Sequence, residues 1–417
     1  MAPSEPGRRA CAAPRAGRRS SARRRERSER AGAPGYYCGT TADNSSAAGQ
    51  DVVPGREERR RTRRREALTA RARLWRWTSL PRLRNCGRVT TSTVGGPVLR
   101  VSTDGEGNRR AGVAGLQSCG SPWACPVCAR KIAAQRSDEL RDVLAAVAEA
   151  GGSVHMLTLT MRHHRGQTLG ELWRALSKAW RAVTSGRAVE RERERFGVLG
   201  MVRVIEATHG EHGWHLHVHA LVAFDGPVSR ELAEVLGSDM FGRWERALLR
   251  AGLAAPLEDR GGLDVRPVDL GAGSIDAVAE YLSKITIEIT GGTLKEGRRG
   301  NRPPFALLAD ALADGNADDC ERWLEWEQAS RGRRQVAWSQ GFREWAGMRR
   351  EQTDEEIAAE DQGGTDTIAV EPEDWPELRP QLAEWLDVAE RDGVEAASAW
   401  LTVRRIGWAR VDRPPRR

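Results

Sequence analysis

Three histidines alternate along one short segment of the chain, at positions 215, 217 and 219. The apolar and β-branched run Trp214–Phe224 predicts a strand, on which side chains two residues apart point to one face. In a core, three neighbouring imidazoles would leave ring nitrogens without partners, whereas one divalent cation satisfies several of them at once. A lone buried histidine is usually structural, but this row favours His215, His217 and His219 as metal ligands.

One carboxylate lies on the strand predicted before the histidines. Glu206 lies near the end of the strand-like run Leu199–Ala207, and the turn-rich residues His209–Gly213 predict a hairpin between the two strands. The hairpin would bring Glu206 to the histidines as an oxygen ligand; the alternative is a surface acid. Such a site suits Mn²⁺ better than Mg²⁺ by ligand softness, yet it can use either when a phosphate supplies further oxygens.

Tyr281 is the one tyrosine beyond the N-terminal region, where Tyr36 and Tyr37 lie. Its segment Asp276–Lys284 has helical character, and Lys284, three residues later, shares its face. A phenol is a poor nucleophile at its ordinary pKa, so a nearby metal and ammonium would help by favouring the phenolate. A helical tyrosine is normally a packing residue; the histidine row is what favours catalysis by Tyr281 with help from Lys284.

Four cysteines precede this region, and their spacing predicts a metal site: they are Cys86, Cys119, Cys125 and Cys128. The last two form a C-x-x-C motif of the kind that binds tetrahedral Zn²⁺. Disulfide bonds are the competing interpretation, which a reducing cytoplasm disfavours. We therefore expect a structural Zn²⁺ site. The cysteines without such spacing are Cys11, Cys38 and Cys320.

The elements that must position these residues follow from the periodicity of apolar side chains. Besides the hairpin, the patterns predict a strand over His155–Met161, a helix over Thr168–Val183, a helix over Ser229–Ala251, a strand over Gly262–Val268 and a helix from about Ser274. Lys131–Ala150 reads as a preceding helix. The order β-α-β-β-α-β-α begins with the ferredoxin-like arrangement, in which the first and third strands are central and the second pairs antiparallel with the third. We expect an α+β fold.

The formal charge of +8 suggests a nucleic-acid partner, but the arginine-rich first 70 residues hold that excess. Those residues lack apolar periodicity, so they either lie on phosphates or form a solvated, disordered leader. No run of about eighteen apolar residues occurs, and the N-terminus has arginines where a signal peptide needs an apolar stretch. We expect a cytoplasmic protein without a membrane partner.

Three ordered motifs resemble those of HUH endonucleases: Leu-Thr-Leu-Thr at 157–160, Gly-Trp-His-Leu-His-Val-His at 213–219 and Tyr-Leu-Ser-Lys at 281–284. They are most similar to the rolling-circle plasmid replication initiators of actinomycetes. The resemblance extends to flanking stretches at 116–128 and 333–343, so it covers roughly residues 80 to 345. The tyrosine follows the histidines, whereas mobilisation relaxases of this superfamily have it before them.

The resemblance implies that His217 and His219 form the metal-binding pair, with His215 as a neighbour or third ligand. Tyr281 is then the nucleophile and Lys284 its assistant. The implied activity is site-specific nicking and joining of single-stranded DNA at a plasmid origin, through a 5′-phosphotyrosyl link that leaves a 3′-OH primer. The implied partners are a host helicase and a host polymerase.

One position departs from the resemblance. Related initiators can carry a glutamate four residues before the tyrosine to activate the terminating water, but here that position is Ala277. Asp276 and Glu280 are the neighbouring carboxylates, and neither lies on the matching turn. The carboxylate that acts in termination is therefore left open.

The expected organisation has five segments: residues 1–70 a disordered arginine-rich leader, 71–135 a four-cysteine zinc-binding module, 136–295 the HUH endonuclease domain, 296–350 a tryptophan-rich helical extension, and 351–417 an acidic linker with a small C-terminal region. Two alternatives stay open. The same chemistry could serve a transposase or relaxase, or the chain could be a zinc-ribbon DNA-binding regulator in which the histidines bind a structural metal and Tyr281 packs.

Overall fold

The computed structural model describes residues 55–91, 96–287, 300–360 and 363–413. Residues 60–417 form one compact unit; the other unit, residues 1–59, is described only from residue 55 onward. The fold is α+β with antiparallel sheets, as expected from the sequence. None of the helices in the described ranges is both long and apolar enough to cross a membrane.

The strands in the described ranges are β1 Val98–Thr103, β2 Arg109–Ala114, β3 Ser153–Thr160, β4 Val198–Gly210, β5 Gly213–Phe224, β6 Leu263–Val268, β7 Val336–Trp338, β8 Thr365–Val370 and β9 Trp408–Arg413. The helices are α1 Arg56–Leu74, α2 Pro81–Asn85, α3 Pro126–Glu149, α4 Leu169–Thr184, α5 Arg187–Phe196, α6 Arg230–Arg250, α7 Ala272–Ile287, α8 Pro304–Asp314, α9 Ala317–Ala329, α10 Phe342–Trp345, α11 Asp354–Ala359, α12 Trp375–Leu378, α13 Leu382–Arg391 and α14 Val394–Val403. The predicted strands and helices of the core fall on β3, α4, β4, β5, α6, β6 and α7, with ends that differ by no more than three residues, whereas α5 was not predicted.

The central sheet has the strand order β6-β3-β5-β4-β7, and every neighbouring pair is antiparallel. The long strands β4 and β5 form the predicted hairpin, which closes between Gly210 and Gly213. Gly213 has a φ of +89°, which glycine adopts without a steric penalty. The hairpin therefore sets Glu206 and the histidines on adjacent strands.

The two faces of this sheet pack against different helices because its strands alternate in side-chain direction. One face buries Leu157, Leu216 and Val218 together with side chains of α4 and α6. The opposite face buries Val204 and Leu221 together with side chains of α3 and α7. The polar residues of the second face lie beyond this apolar patch, toward the hairpin end of β5.

A second antiparallel sheet has the order β2-β1-β8-β9, which joins strands from before the core to strands near the C-terminus. Leu99, Ile368 and Val370 on this sheet are buried against Trp385 and Leu401 of α13 and α14. Strand β8 lies where the sequence pattern suggested an acidic linker. Its one acidic residue, Asp366, is paired with Arg100 of β1 at 2.6 Å, a contact that the local sequence pattern does not show.

Helix α1 overlaps the segment in which the sequence predicted a disordered leader, since residues 56–70 are helical. Its apolar positions are few, but Ala67, Leu68 and Leu74 are buried. Arg60 and Arg64 both pair with the carboxylate of Glu390, which lies on α13. Contacts made by distant residues thus order a segment whose own composition is typical of disorder.

The tryptophan-rich region after residue 300 packs into the main core. Trp323 and Trp326 on α9 are fully buried there, and Trp326 stacks on Trp214 with ring centroids 5.5 Å apart. Strand β7 extends the central sheet at the free edge of β4, with Val336 opposite Val204. This region therefore contributes a strand to the central sheet as well as the predicted helices.

Candidate active site and cysteine cluster

His215, His217 and His219 lie on one face of β5, as their alternation predicts. This is the face that also carries Leu221 and is covered farther along by α3 and α7. On the neighbouring strand, Glu206 lies directly opposite His217 in the hairpin register. The structure therefore brings the predicted carboxylate to the predicted histidine row.

Glu206 lies between two of the imidazoles. Its Oε2 accepts a hydrogen bond from Nε2 of His219 at 2.8 Å and lies 3.6 Å from Nε2 of His217. The Nε2 atom of His217 is buried and has no hydrogen-bond partner among the described residues. A buried polar atom without a partner is costly, so a ligand in this gap would stabilise the site.

The Nδ1 atom of each of these two imidazoles has a partner that fixes its orientation. Thr158 of β3 contacts Nδ1 of His219 through its hydroxyl at 3.1 Å. His215 contacts Nδ1 of His217 through Nε2 at 3.1 Å, and its own Nδ1 lies 3.2 Å from Nδ1 of His163. Metal-binding histidines usually have their second nitrogen held in this way. His215 thus lies behind His217 and away from Glu206.

Two imidazoles of the site are neutral at pH 7. Burial lowers the pKa of His217 to about 4, against the opposing charge of Glu206. Burial, with the charges of His217 and His163, lowers the pKa of His215 to about 3. Burial by itself raises the pKa of Glu206, but the hydrogen bond from His219 and the nearby imidazoles bring it below its usual value. Neutral ring nitrogens and an ionised carboxylate are the states that bind a divalent cation.

These residues fit a divalent cation. The Nε2 atoms of His217 and His219 and one carboxylate oxygen converge, and the Nε2 of His217 lacks any other partner among the described residues. Two histidines and a carboxylate with open positions suit first-row metals, and oxygen ligands from a phosphate would also allow Mg²⁺. His217, His219 and Glu206 are therefore the candidate ligand set.

Helix α7 packs on the same sheet face as the histidines, through Ile275 and Ala279. The helical backbone includes Tyr281 and Lys284, whose side chains lie outside the described part of the structure. A helix rises about 1.5 Å per residue, so Tyr281 lies about 3 Å along the axis beyond Ala279. One of the two possible terminating carboxylates, Asp276, accepts a hydrogen bond from Arg141 at 2.8 Å.

The four predicted cysteines form one buried cluster. The Sγ atoms of Cys86, Cys119, Cys125 and Cys128 all lie within 4.8 Å of one another. Three of the Sγ pairs are 3.6 to 3.7 Å apart. Four thiolates around Zn²⁺ at about 2.3 Å would be about 3.8 Å apart, so the cluster has the dimensions of a structural zinc site.

Local structure explains how the cysteines meet. Cys125 caps the N-terminus of α3, where its Sγ accepts from the backbone N–H of Cys128 at 3.5 Å. The other two cysteines are each followed by a glycine with positive φ, +64° at Gly87 and +65° at Gly120. An added Cβ at Gly120 would lie 2.7 Å from the backbone of Glu355, so only glycine fits there.

Thr158 and His163 are contacts of the site that the residue types alone did not identify. Thr158 belongs to the Leu-Thr-Leu-Thr motif, and its alternation on β3 could have placed it opposite His219, with which it is paired in register. His163 follows the end of β3 in a loop, where no periodicity predicts the direction of a side chain.

Comparison with known proteins supplies the family. A family model described as a replication protein matches residues 112–379. The chain is 30% identical to "Protein rep" of Streptomyces lividans over 297 residues, which is 57% of this chain and 65% of that protein. It is 29% identical to "Neomycin resistance protein" of Streptomyces cyanogenus over 229 residues, 47% of this chain and 51% of that protein. The chain thus spans about half to two thirds of these relatives' lengths. No solved structure matches.

Proposed function

The chain belongs to the replication protein family, and we propose that it is a rolling-circle initiator that nicks one strand of a plasmid origin and stays joined to that strand through Tyr281. The convergence of His217, His219 and Glu206 on the sheet face covered by α7 carries the proposal. One face thus carries the candidate metal-ligand set and the helix that contains Tyr281.

His217, His219 and Glu206 would hold Mn²⁺ or Mg²⁺. When bound, the ion polarises the scissile phosphate and stabilises the charge that develops during the reaction. His215 and Thr158 fix the ring orientations of the two ligating histidines. Because these contacts exist before any substrate arrives, the ligands need no rearrangement at the moment of reaction.

Tyr281 is the nucleophile in this proposal. Its phenolic oxygen, after losing its proton, attacks the phosphorus, and the bond from phosphorus to the 3′ oxygen of the preceding nucleotide breaks. That oxygen takes up a proton and becomes the 3′-OH from which a host polymerase extends. No water is consumed, so the tyrosyl ester keeps the bond energy and a later 3′-OH can reseal the strand.

Lys284 assists as a cation. It follows Tyr281 by three residues on α7, and residues three apart lie on one side of a helix. An ammonium at the same phosphate favours the phenolate and offsets the charge of the reacting group. We expect Lys284→Ala to slow adduct formation without abolishing it.

The fold supports the assignment of a ferredoxin-like HUH core. In the order β6-β3-β5-β4, the first and third strands of the core are central and the second pairs with the third, which is the ferredoxin-like pattern. The cysteine cluster would act as a zinc module before this core. The proposed partners are single-stranded origin DNA, a host helicase that opens the duplex and a host polymerase.

The test is an assay for a covalent DNA adduct. Single strands covering the DNA on both sides of the gene, labelled at the 3′ end, are incubated with protein and Mn²⁺ and run on denaturing gels. The wild type should retain the label in a protein adduct, and Tyr281→Phe should not. An adduct with Tyr281→Phe would place the nucleophile elsewhere, whereas binding without any adduct would favour a zinc-ribbon regulator.

A further inference from the structure

A cavity of about 410 Å³ lies at the β7 edge of the central sheet, outside the candidate metal site. Pockets that hold small ligands are typically about 300 to 1,000 Å³. The apolar part of its lining comes from α2, the cysteine loop and β7, and it includes Leu83, Pro122, Trp123 and Val336. The cavity is therefore large enough, and apolar enough, for a flat ring system.

The rim of the cavity carries an excess of positive charge. Five arginines line it against three acids. Arg334 lies 3.5 Å from Glu351, while Arg331 is exposed and makes no hydrogen bond or ion pair in the described ranges. Arg333 has a cation–π contact with Trp173 at 5.0 Å and no acidic partner among the described residues. Such a rim suits an anion.

The register of β7 connects the cavity to the candidate metal site. Val336 is paired with Val204, and the N–H of Ile205 donates to the carbonyl of Gln335 at 3.1 Å. Val204 precedes Glu206 by two residues on β4, so Val336 of the cavity lining and Glu206 are diagonal cross-strand neighbours, about 7 to 8 Å apart. A strand of DNA with a phosphate at Glu206 would reach the cavity with its next nucleotide.

We propose that this cavity takes one unpaired base of the DNA strand held at the metal site, with an adjoining phosphate on Arg331. The inference rests on the proposed function. A base has an apolar face for Trp123 and Val336 and a polar edge, and each base of a single strand carries a phosphate. An apolar cavity with an arginine rim matches both parts of a nucleotide.

The first test fills the cavity. Gln352 lines it, and its side-chain amide makes no hydrogen bond in the described part of the structure, so Gln352→Trp adds an indole while Gln352→Ala removes volume. Affinity for a fluorescent single strand from beside the gene is measured by anisotropy without added divalent metal. We expect Gln352→Trp to weaken binding roughly tenfold or more, the value of one stacked base, and Gln352→Ala to change it little.

The second test removes the unpaired charge. A phosphate contact to single-stranded DNA contributes about 0.7 to the slope of log affinity against log salt. Arg331→Ala should therefore lower that slope by about 0.7, whereas Arg250→Ala, an exposed arginine on α6, should leave it unchanged. Both variants lose one charge, so net charge cannot explain a difference between them.

Any of three results would overturn the cavity proposal. The two Gln352 variants could bind with equal affinity, the two arginine variants could show equal slopes of log affinity against log salt, or the protein could fail to bind single strands at all. Zinc content and thermal melting show that each variant is folded. The proposed function fails by a different result, the absence of a covalent adduct with wild-type protein. The two failures are thus separate, because binding here is measured without cleavage.

Discussion

Replacement of Thr158 by valine tests whether the hydroxyl behind His219 serves the proposed metal site. The substitution keeps the β-branched shape that suits β3. It removes one hydrogen bond, the 3.1 Å contact between the Thr158 hydroxyl and Nδ1 of His219. The stability cost of one such bond is about 1 kcal/mol. Partners of ligating histidines typically alter metal affinity or activity by about tenfold to a hundredfold, so we expect the Mn²⁺ concentration for half-maximal nicking to rise in that range.

The matched control is Thr160→Val on the same strand. Thr160 lies opposite His217 in register, but its hydroxyl donates to the carbonyl of Gly261 at 2.8 Å and so orients no ligand. Both variants should lose about 1 kcal/mol of stability, and only Thr158→Val should require more metal. Nicking is measured across a Mn²⁺ titration at saturating DNA. Equal metal requirements in the two variants would refute the orienting role of Thr158.

Three further outcomes are expected. Cys128→Ser should lower both bound zinc and the free energy of unfolding, because the metal supplies folding energy; elemental analysis that finds no zinc in the wild type would contradict this. His217→Ala should abolish nicking while single-strand binding stays within a few-fold, since the ion acts mainly on the transition state; nicking that persists would remove His217 from the site. Glu327→Ala should cost roughly 3 kcal/mol in denaturant unfolding, because this buried carboxylate accepts three hydrogen bonds from Thr78 and Ser79; a loss below about 1 kcal/mol would contradict the count.

The cysteine cluster shares one apolar core with the α4 and α6 side of the central sheet. Trp123, between the second and third cysteines, makes edge contacts with Trp173 and Trp326 at 5.6 and 5.4 Å. The indole N–H of Trp326 donates to the carbonyl of Trp123 at 2.8 Å. Loss of the proposed zinc should therefore weaken the core that supports the sheet as well as the cysteine loops.

Most strands and helices of the core could be predicted from the sequence because they follow from the pattern of apolar residues within each segment. Alternation over a few residues put His217 and His219 on one face, and apolar spacing placed α4 and α6 within a residue or two. The C-x-x-C spacing likewise predicted that Cys125 and Cys128 meet, since a helix N-terminus holds residues three apart together. Each of these predictions needs only the regular repeat of side-chain directions along a strand or a helix.

Segments that are stabilised by residues far away in the sequence could not be predicted from local patterns. Helix α1 has the composition of a disordered leader, and its order depends on Glu390, more than 300 residues away. Strand β8 carries Asp366, an acidic residue of the kind found in linkers. In the folded chain this carboxylate forms an ion pair with Arg100 of β1. The composition of a segment indicates how much conformational entropy is lost when the segment becomes ordered. The contacts that offset this loss form only in the folded chain.

By itself, the sequence determined the α+β class, the histidine face, the β4 and β5 hairpin and the four cysteines that converge. The tertiary structure alone decided that His215 lies behind His217 and contacts His163, and that Val336 of β7, opposite Val204, lines a cavity at the edge of the central sheet. The physical reason is the distance along the chain over which each interaction acts. Side-chain direction along a strand repeats every two residues, but which loop or edge strand meets that face depends on packing between segments far apart in the chain.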